Sequence, residues 1–171
     1  MRIAQAKFGT VLTAVLLLAG CAPDAVPTAP PEPSASLLGS LLNVTLLRCN
    51  SLPPSSGTAV IGSAGGALQV GPHRLVIPAG ALPGDVAITG EVIPGTVNSV
   101  RFSPEGLRFA AQASLTMSYG NCPLARLLPL KKVAYTDEGL GILAVLRSLD
   151  NPARSEVTGR LDHFSRYAIS Y

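Results

Sequence analysis

Three cysteines are the residues of this 171-residue chain best suited to covalent chemistry. Cys21 closes the run Leu18-Ala19-Gly20-Cys21. A leucine, two small residues and a cysteine form the pattern at which bacteria lipidate the cysteine and cut the chain just before it. The expected chemistry is a diacylglyceryl group on the Cys21 sulfur and an acyl group (palmitate is the usual label) on the amine that cleavage frees. Each buried methylene contributes about 0.8 kcal/mol, so two or more chains anchor a protein firmly where one holds only marginally. The competing reading is an ordinary secretory signal with an incidental cysteine. Cys49 and Cys122 remain after lipidation. Outside the cytoplasm such a pair is expected to oxidise to a disulfide, closing a loop of roughly seventy residues and adding about 4 kcal/mol in the chain-entropy model. The alternative is two separate buried thiols. Metal ligation is disfavoured, because neither cysteine belongs to a C-x-x-C pair and neither has a neighbouring histidine.

The elements that must position these cysteines divide the chain into four. Residues 1–20 read as a lipoprotein signal peptide: Arg2 and Lys7 supply positive charge, and Val11 to Leu18 form an apolar run too short to span a bilayer. Residues 21–36 read as a tether. Pro23, Pro27, Pro30, Pro31 and Pro33 exclude helix and ladder, and a partly extended stretch of this length reaches about 40 Å. Residues 37–56 read as a short helix and connector, with Leu37, Leu38, Leu41, Leu42 and Leu46 at helical spacing. That helix is expected to pack on the domain, because no Lys or Arg flanks its apolar face before Arg48 as a membrane-surface helix requires. Residues 57–171 form a single domain, the mature chain being long enough for one core and short for two.

In that domain, short β-branched and apolar runs are broken every eight to fifteen residues by Gly, Pro, Asn and Asp, the rhythm of an all-β antiparallel β-sandwich. Strands are predicted over 59–61, 67–70, 73–77, 86–93, 99–102, 113–119, 132–136, 142–149, 156–161 and 165–170. Alternation is clearest from Ala113 to Tyr119, where apolar residues alternate with hydroxyl-bearing ones. One face of that strand is buried and the other wet. The formal charge of +3 falls to +1 once Arg2 and Lys7 are removed, and the remaining basic residues are scattered. No continuous electrostatic footprint for nucleic acid appears.

Gly65-Gly66-Ala67-Leu68 followed by Leu75-Val76-Ile77-Pro78-Ala79-Gly80-Ala81-Leu82 resembles the ZU5 domain. The resemblance continues through Pro104-Glu105-Gly106-Leu107-Arg108-Phe109 into the alternating strand and ends in His163-Phe164-Ser165-Arg166-Tyr167, covering most of the chain after Ser56. It implies a β-sandwich that acts by contact, as in ankyrins, netrin receptors and death-domain scaffolds. Within its signature, Gly80 is expected to take a positive φ and Leu82 to turn inward as a plug. No UPA domain, death domain or ankyrin repeat is read after it, so those partners do not carry over. Some relatives of this domain cut themselves between Phe and Ser of a His-Phe-Ser triplet. Here Ser165 would attack the Phe164 carbonyl, His163 would accept the hydroxyl proton, and water would hydrolyse the ester. The structural alternative is that Phe164 fills the core while His163 and Ser165 bond neighbouring backbone. Only seven residues follow the bond, so cleavage would release no domain.

Other polar residues are given bland roles. His73 is expected at the surface in a Gly71-Pro72 turn, and Lys131-Lys132 on a solvated edge that discourages aggregation. Asp137, Glu138 and Asp150 are expected to shape turns, lacking the alternating oxygen ligands of a calcium loop. No metal or cofactor signature is found. The expectation is a membrane-anchored envelope lipoprotein whose partner is a protein or an envelope polymer, with self-processing as the alternative. Ala22, not Asp, follows Cys21, which sends the protein to the outer membrane in a diderm host and otherwise to the outer face of the cell membrane.

Overall fold

The computed structural model describes residues 44–171. The signal segment, Cys21, the tether and residues 37–43 of the expected short helix lie outside the described residues. The strands are β1 (Ser55–Ile61), β2 (Gly66–Val70), β3 (His73–Ile77), β4 (Val86–Ile93), β5 (Ser99–Ser103), β6 (Arg108–Ser118), β7 (Lys132–Thr136), β8 (Ile142–Val145), β9 (Ser148–Asn151), β10 (Glu156–His163) and β11 (Arg166–Ser170). They form two sheets, ordered β1-β4-β5-β11-β7-β8 and β2-β3-β6-β10-β9, and every pairing is antiparallel. The fold is the all-β sandwich that the sequence rhythm predicts.

Alternation builds the core. On β6, Ala113, Leu115 and Met117 are buried while Ser114, Thr116 and Ser118 are half-exposed, and on β10 Val157, Gly159 and Leu161 are buried. Because side chains leave a strand on opposite faces with period two, each sheet commits one face to the other. All five residues of β11 are buried. This strand pairs with β5 on one side and β7 on the other; Tyr167 and Ile169 join the core cluster, and Ala168 and Ser170 are buried outside it.

Two glycines allow the sheets to approach closely. A Cβ on Gly90 of β4 would sit 2.5 Å from Val70 Cγ2 of the opposing sheet and 2.8 Å from Phe102 Cε1. A Cβ on Gly159 of β10 would sit 2.6 Å from Val133 Cβ of β7. Each sheet thus removes one side chain where a valine of the other intrudes. In the 78–82 turn Gly80 has φ +76 and Leu82 is buried, as the signature implies.

Two parts of the chain depart from expectation. The stretch 142–149 is two strands in different sheets, because the chain crosses over at Leu146-Arg147. Ser148 Oγ accepts from the Val133 N–H (2.9 Å) and donates to the Leu146 carbonyl (2.9 Å), replacing ladder bonds at the bend. The described end of the expected helix, from Val44, is extended: Leu46 bridges to Ser170 and Arg48 to Val97. Leu47, which lies off the helical stripe, is the fully buried leucine here. A free sheet position beside the last residues of β11, beyond its pairing with β5 at Ala168, overrides the helical spacing, since backbone groups there gain partners: Thr45 N–H to Tyr171 O (3.2 Å) and Tyr171 N–H to Thr45 O (3.0 Å).

The close approach at Gly90 gives a direct test. Gly90→Ala is expected to lower the unfolding free energy by about 1–3 kcal/mol through overpacking. Gly95→Ala, where an added Cβ meets nothing within 4 Å, is expected to change it by less than about 0.5 kcal/mol. Urea denaturation of the two variants checks both.

Candidate functional site

The His163-Phe164-Ser165 triplet lies at a corner. Strand β10 ends at His163 in the five-stranded sheet and β11 begins at Arg166 in the six-stranded one, so Phe164 and Ser165 carry the chain across. Phe164 is fully buried. Its ring stacks on Phe102 of β5 (centroids 5.2 Å, 20° between planes) and meets Phe109 of β6 edge-on (4.9 Å, 85°). One aromatic from each sheet therefore holds the corner, in the offset and edge geometries that aromatic quadrupoles favour. The backbone is clasped as firmly. Phe164 N–H donates to Leu107 O (2.8 Å), Gly106 N–H to Phe164 O (3.0 Å), and Phe102 N–H to Ser165 O (3.1 Å).

The groups required for self-cleavage are brought together incompletely. His163 Nδ1 is 3.3 Å from the Phe164 carbonyl oxygen, and no hydrogen bond joins His163 to the buried Ser165 hydroxyl. The imidazole instead packs edge-on against Tyr135 (4.9 Å, 79°). Gly106 N–H does point at the oxygen that would become an oxyanion. The structural alternative is met for Phe164, which fills the core, and for His163, whose ring reaches the neighbouring Phe164 carbonyl, while Ser165 bonds through its carbonyl and not its hydroxyl. A shallow cavity of 190 Å³ opens over this corner, lined by Glu105, Gly106, Arg108, Tyr135, His163, Phe164 and Ser165. Tyr167 OH donates to His163 O, and burial, with lesser contributions from Tyr135 and Asp162, pushes that phenol well above its ordinary value.

Beside the corner lies an ionic cluster. Arg101 pairs with Glu138, and Arg166 donates to Glu138 O (2.6 Å) and to Ser99 Oγ (3.0 Å). Burial lowers the Arg166 pKa against the opposing pull of Glu138. Glu138 is thus more than a turn residue. The Asp137 role is as expected, its Oδ1 accepting from Gly141 N–H (2.7 Å). Sequence reasoning missed the cluster. A charged Arg166 inside an otherwise buried strand was the available signal, since such a group requires a partner.

At the opposite end of the sandwich Cys49 and Cys122 are joined by a disulfide (S–S 2.00 Å, Cα–Cα 3.9 Å). Asn98 and Asn121 exchange amide hydrogen bonds (2.7 and 2.9 Å) beside it, and Asn121 also donates to Asn50 O (2.6 Å). Asp150 sits on β9, accepting from Tyr119 OH (2.7 Å) and from Lys131 N–H (2.9 Å), so it ties two elements together and does not merely shape a turn. Burial first, then Asp150, raises the Tyr119 pKa.

Two surface expectations are corrected. Lys131 is buried: its ammonium donates to Leu128 O (3.1 Å) and Pro129 O (2.6 Å) and lies 5.5 Å from the Tyr119 ring centre. Lys132 is exposed, but on β7, which is paired on both sides, so neither lysine guards an edge. His73 is fully buried, because it occupies the first inward position of β3, ahead of Leu75 and Ile77. Its Nδ1 accepts from Ser118 N–H (3.2 Å), which puts the neutral ring's proton on Nε2, where it has no protein partner. Burial pushes its pKa down to about 4.

Among the described residues no group of three or more His, Cys, Asp and Glu side chains converges as a metal site requires, and no helix is long and apolar enough to cross a membrane. No protein-family model matches the chain, and none of the curated proteins does.

Two measurements test these assignments. Unreduced, denatured protein is expected to show no alkylatable thiol at Cys49 or Cys122, and replacing both by serine is expected to lower stability by about 4 kcal/mol for a loop of this length. For His73, the folded pKa of about 4 lies below the ordinary 6.5, so between these values the unfolded chain binds the extra proton. Stability is complete above pH 6.5 and falls by up to about 3 kcal/mol toward pH 4. His73→Leu is expected to flatten that slope in urea titrations at successive pH values.

Proposed function

We propose that the chain is a lipid-anchored envelope protein whose ZU5-like sandwich works by contact with a protein or envelope polymer. The anchor rests on the Leu18-Ala19-Gly20-Cys21 pattern and the proline-rich stretch after it, and the likeness to ZU5 on the three ordered signatures. The contact reading is carried by the corner at Phe164. The signature that suggests chemistry serves there as a joint, with the ring locked between Phe102 and Phe109 and the His163 imidazole aimed at a carbonyl instead of the Ser165 hydroxyl. Strand β11 follows immediately, buried and paired on both sides, so a cut at Phe164-Ser165 would free nothing.

One contact favours the second reading, self-cleavage: the Gly106 N–H on the Phe164 carbonyl oxygen is a donor placed where negative charge would develop. The two readings separate by mass. Protein purified from cells fed labelled palmitate and then fully denatured is expected to carry the label, to lose it in Cys21→Ala, and to run as one chain through Tyr171. A separate seven-residue peptide beginning at Ser165, lost in Ser165→Ala, overturns the contact-only reading.

A further inference from the structure

The segment between β6 and β7 displays three large apolar side chains to solvent. Leu124, Leu127 and Leu130 are 55%, 81% and 68% exposed. Leu124 caps and Leu127 ends a single 3-10 turn, Ala125–Leu127, where residues three apart eclipse one another on the same face. Leu124, Leu127 and Leu130 are three of the six large apolar side chains exposed among the described residues.

Charge gives the surface a sign. From Gly106 to Thr136 the chain has no carboxylate and carries Arg108, Arg126, Lys131 and Lys132, of which Arg126 and Lys132 are exposed and belong to this end. The nearby acids are engaged: Asp150 by Tyr119 and Lys131, and Glu156 by Arg154 (3.4 Å).

Position gives it a neighbour. Leu46 bridges to Ser170, which pairs with Lys132, so the incoming chain and the end of the leucine loop lie two strand spacings apart, about 10 Å. The start of the loop is bonded to the same incoming segment through Cys49–Cys122. The twenty-two residues from Ala22 to Asn43 that lead to Cys21 therefore join the domain at the end that displays the leucines.

We infer that this leucine loop is a second membrane contact, inserting Leu124, Leu127 and Leu130 into the surface of an anionic phospholipid bilayer while Arg126 and Lys132 meet the headgroups. The inference rests on the anchor proposed above. A tether fixes only the maximum height of the domain, and it raises the effective concentration of bilayer at the loop, so a weakly inserting surface suffices. In this arrangement the Phe164 corner and the Arg101–Glu138–Arg166 cluster, at the other end of β11, face away from the membrane toward a partner.

The chain contains no tryptophan, so single-tryptophan variants report on one place each. Lipidated Leu127→Trp protein, in vesicles of phosphatidylcholine and phosphatidylglycerol, is expected to emit further to the blue than in detergent-free buffer and to lose most of its emission to brominated lipid. Val60→Trp, on the outer face of the far edge strand β1, is expected to do neither. Adding Arg126→Glu and Lys132→Glu to Leu127→Trp is expected to reduce the quenching. Vesicle-bound Leu127→Trp protein that stays unquenched, or Leu127→Trp and Val60→Trp proteins quenched alike, overturns the loop contact and leaves the anchor standing. A concentration-dependent blue shift without lipid assigns the leucines to a second copy and also overturns it. Protein that fails to float with vesicles overturns the anchor; the same protein added to preformed vesicles then decides the loop by the same quenching.

Discussion

The packing of Phe164 between Phe102 and Phe109 is the interaction on which the sandwich depends. The chain needs to leave one sheet at His163 and be fully inside the other by Arg166, with two residues for the crossing. A crossing that short exposes backbone groups to the core unless they are paired, and an unpaired buried amide costs about as much as a lost hydrogen bond. Here the Phe164 N–H, the Phe164 carbonyl and the Ser165 carbonyl all find partners in the 102–107 segment, and the ring fills the space the crossing opens. Strand β11 then fits between β5 and β7 with no exposed residue. The same fit sets the His163 ring against the Phe164 carbonyl oxygen, which also accepts from the Gly106 N–H.

The two ends of β11 differ in chemistry. At one end the Arg101–Glu138–Arg166 cluster and the cavity over His163 present polar, ionisable groups. At the other the disulfide, the Asn98–Asn121 amide pair and the Tyr119–Asp150–Lys131 ties fasten a loop that packs Leu128 on the core and leaves Leu124, Leu127 and Leu130 outside it. Such fastening is required because an apolar loop would otherwise fold back over the core edge. Anchored at Cys122 and at Lys131, it is held outward. A polar end and an apolar end on one rigid body define an orientation.

Most strand positions could be read directly from the residues, and His73 shows why burial was harder. The stretch His73-Arg74-Leu75-Val76-Ile77 contains the period-two pattern that buries its first residue, but the Gly71-Pro72 turn before it suggested a surface histidine. The strand pattern prevailed because the turn is complete before His73, which already pairs with Val70 in the ladder. Lys131 was misjudged for another reason: its partners are the carbonyls of Leu128 and Pro129, and a local loop shape, not a residue type, supplies them. At 142–149 a mostly apolar stretch without Gly or Pro concealed a change of sheet at Leu146-Arg147, since the Ser148 hydroxyl can replace ladder bonds at a bend as a turn residue would. In the candidate site the triplet itself was legible, while Gly106, Arg101 and Glu138 were not, because they arrive from segments 25 to 64 residues away.

By itself the sequence determined the alternation that makes strands and the turns that separate them, and it offered Cys49 and Cys122 as a candidate pair, with two separate thiols as the alternative that the structure decides against. These are local or combinatorial properties, decided by side-chain period, backbone permissiveness and count. Only the tertiary structure decided which sheet each strand joins, that Phe164 closes a corner between sheets, and that three leucines are left outside with basic residues beside them. Those outcomes depend on which distant segments exclude water from one another, and burial of that kind is a property of the assembled core and not of any stretch within it.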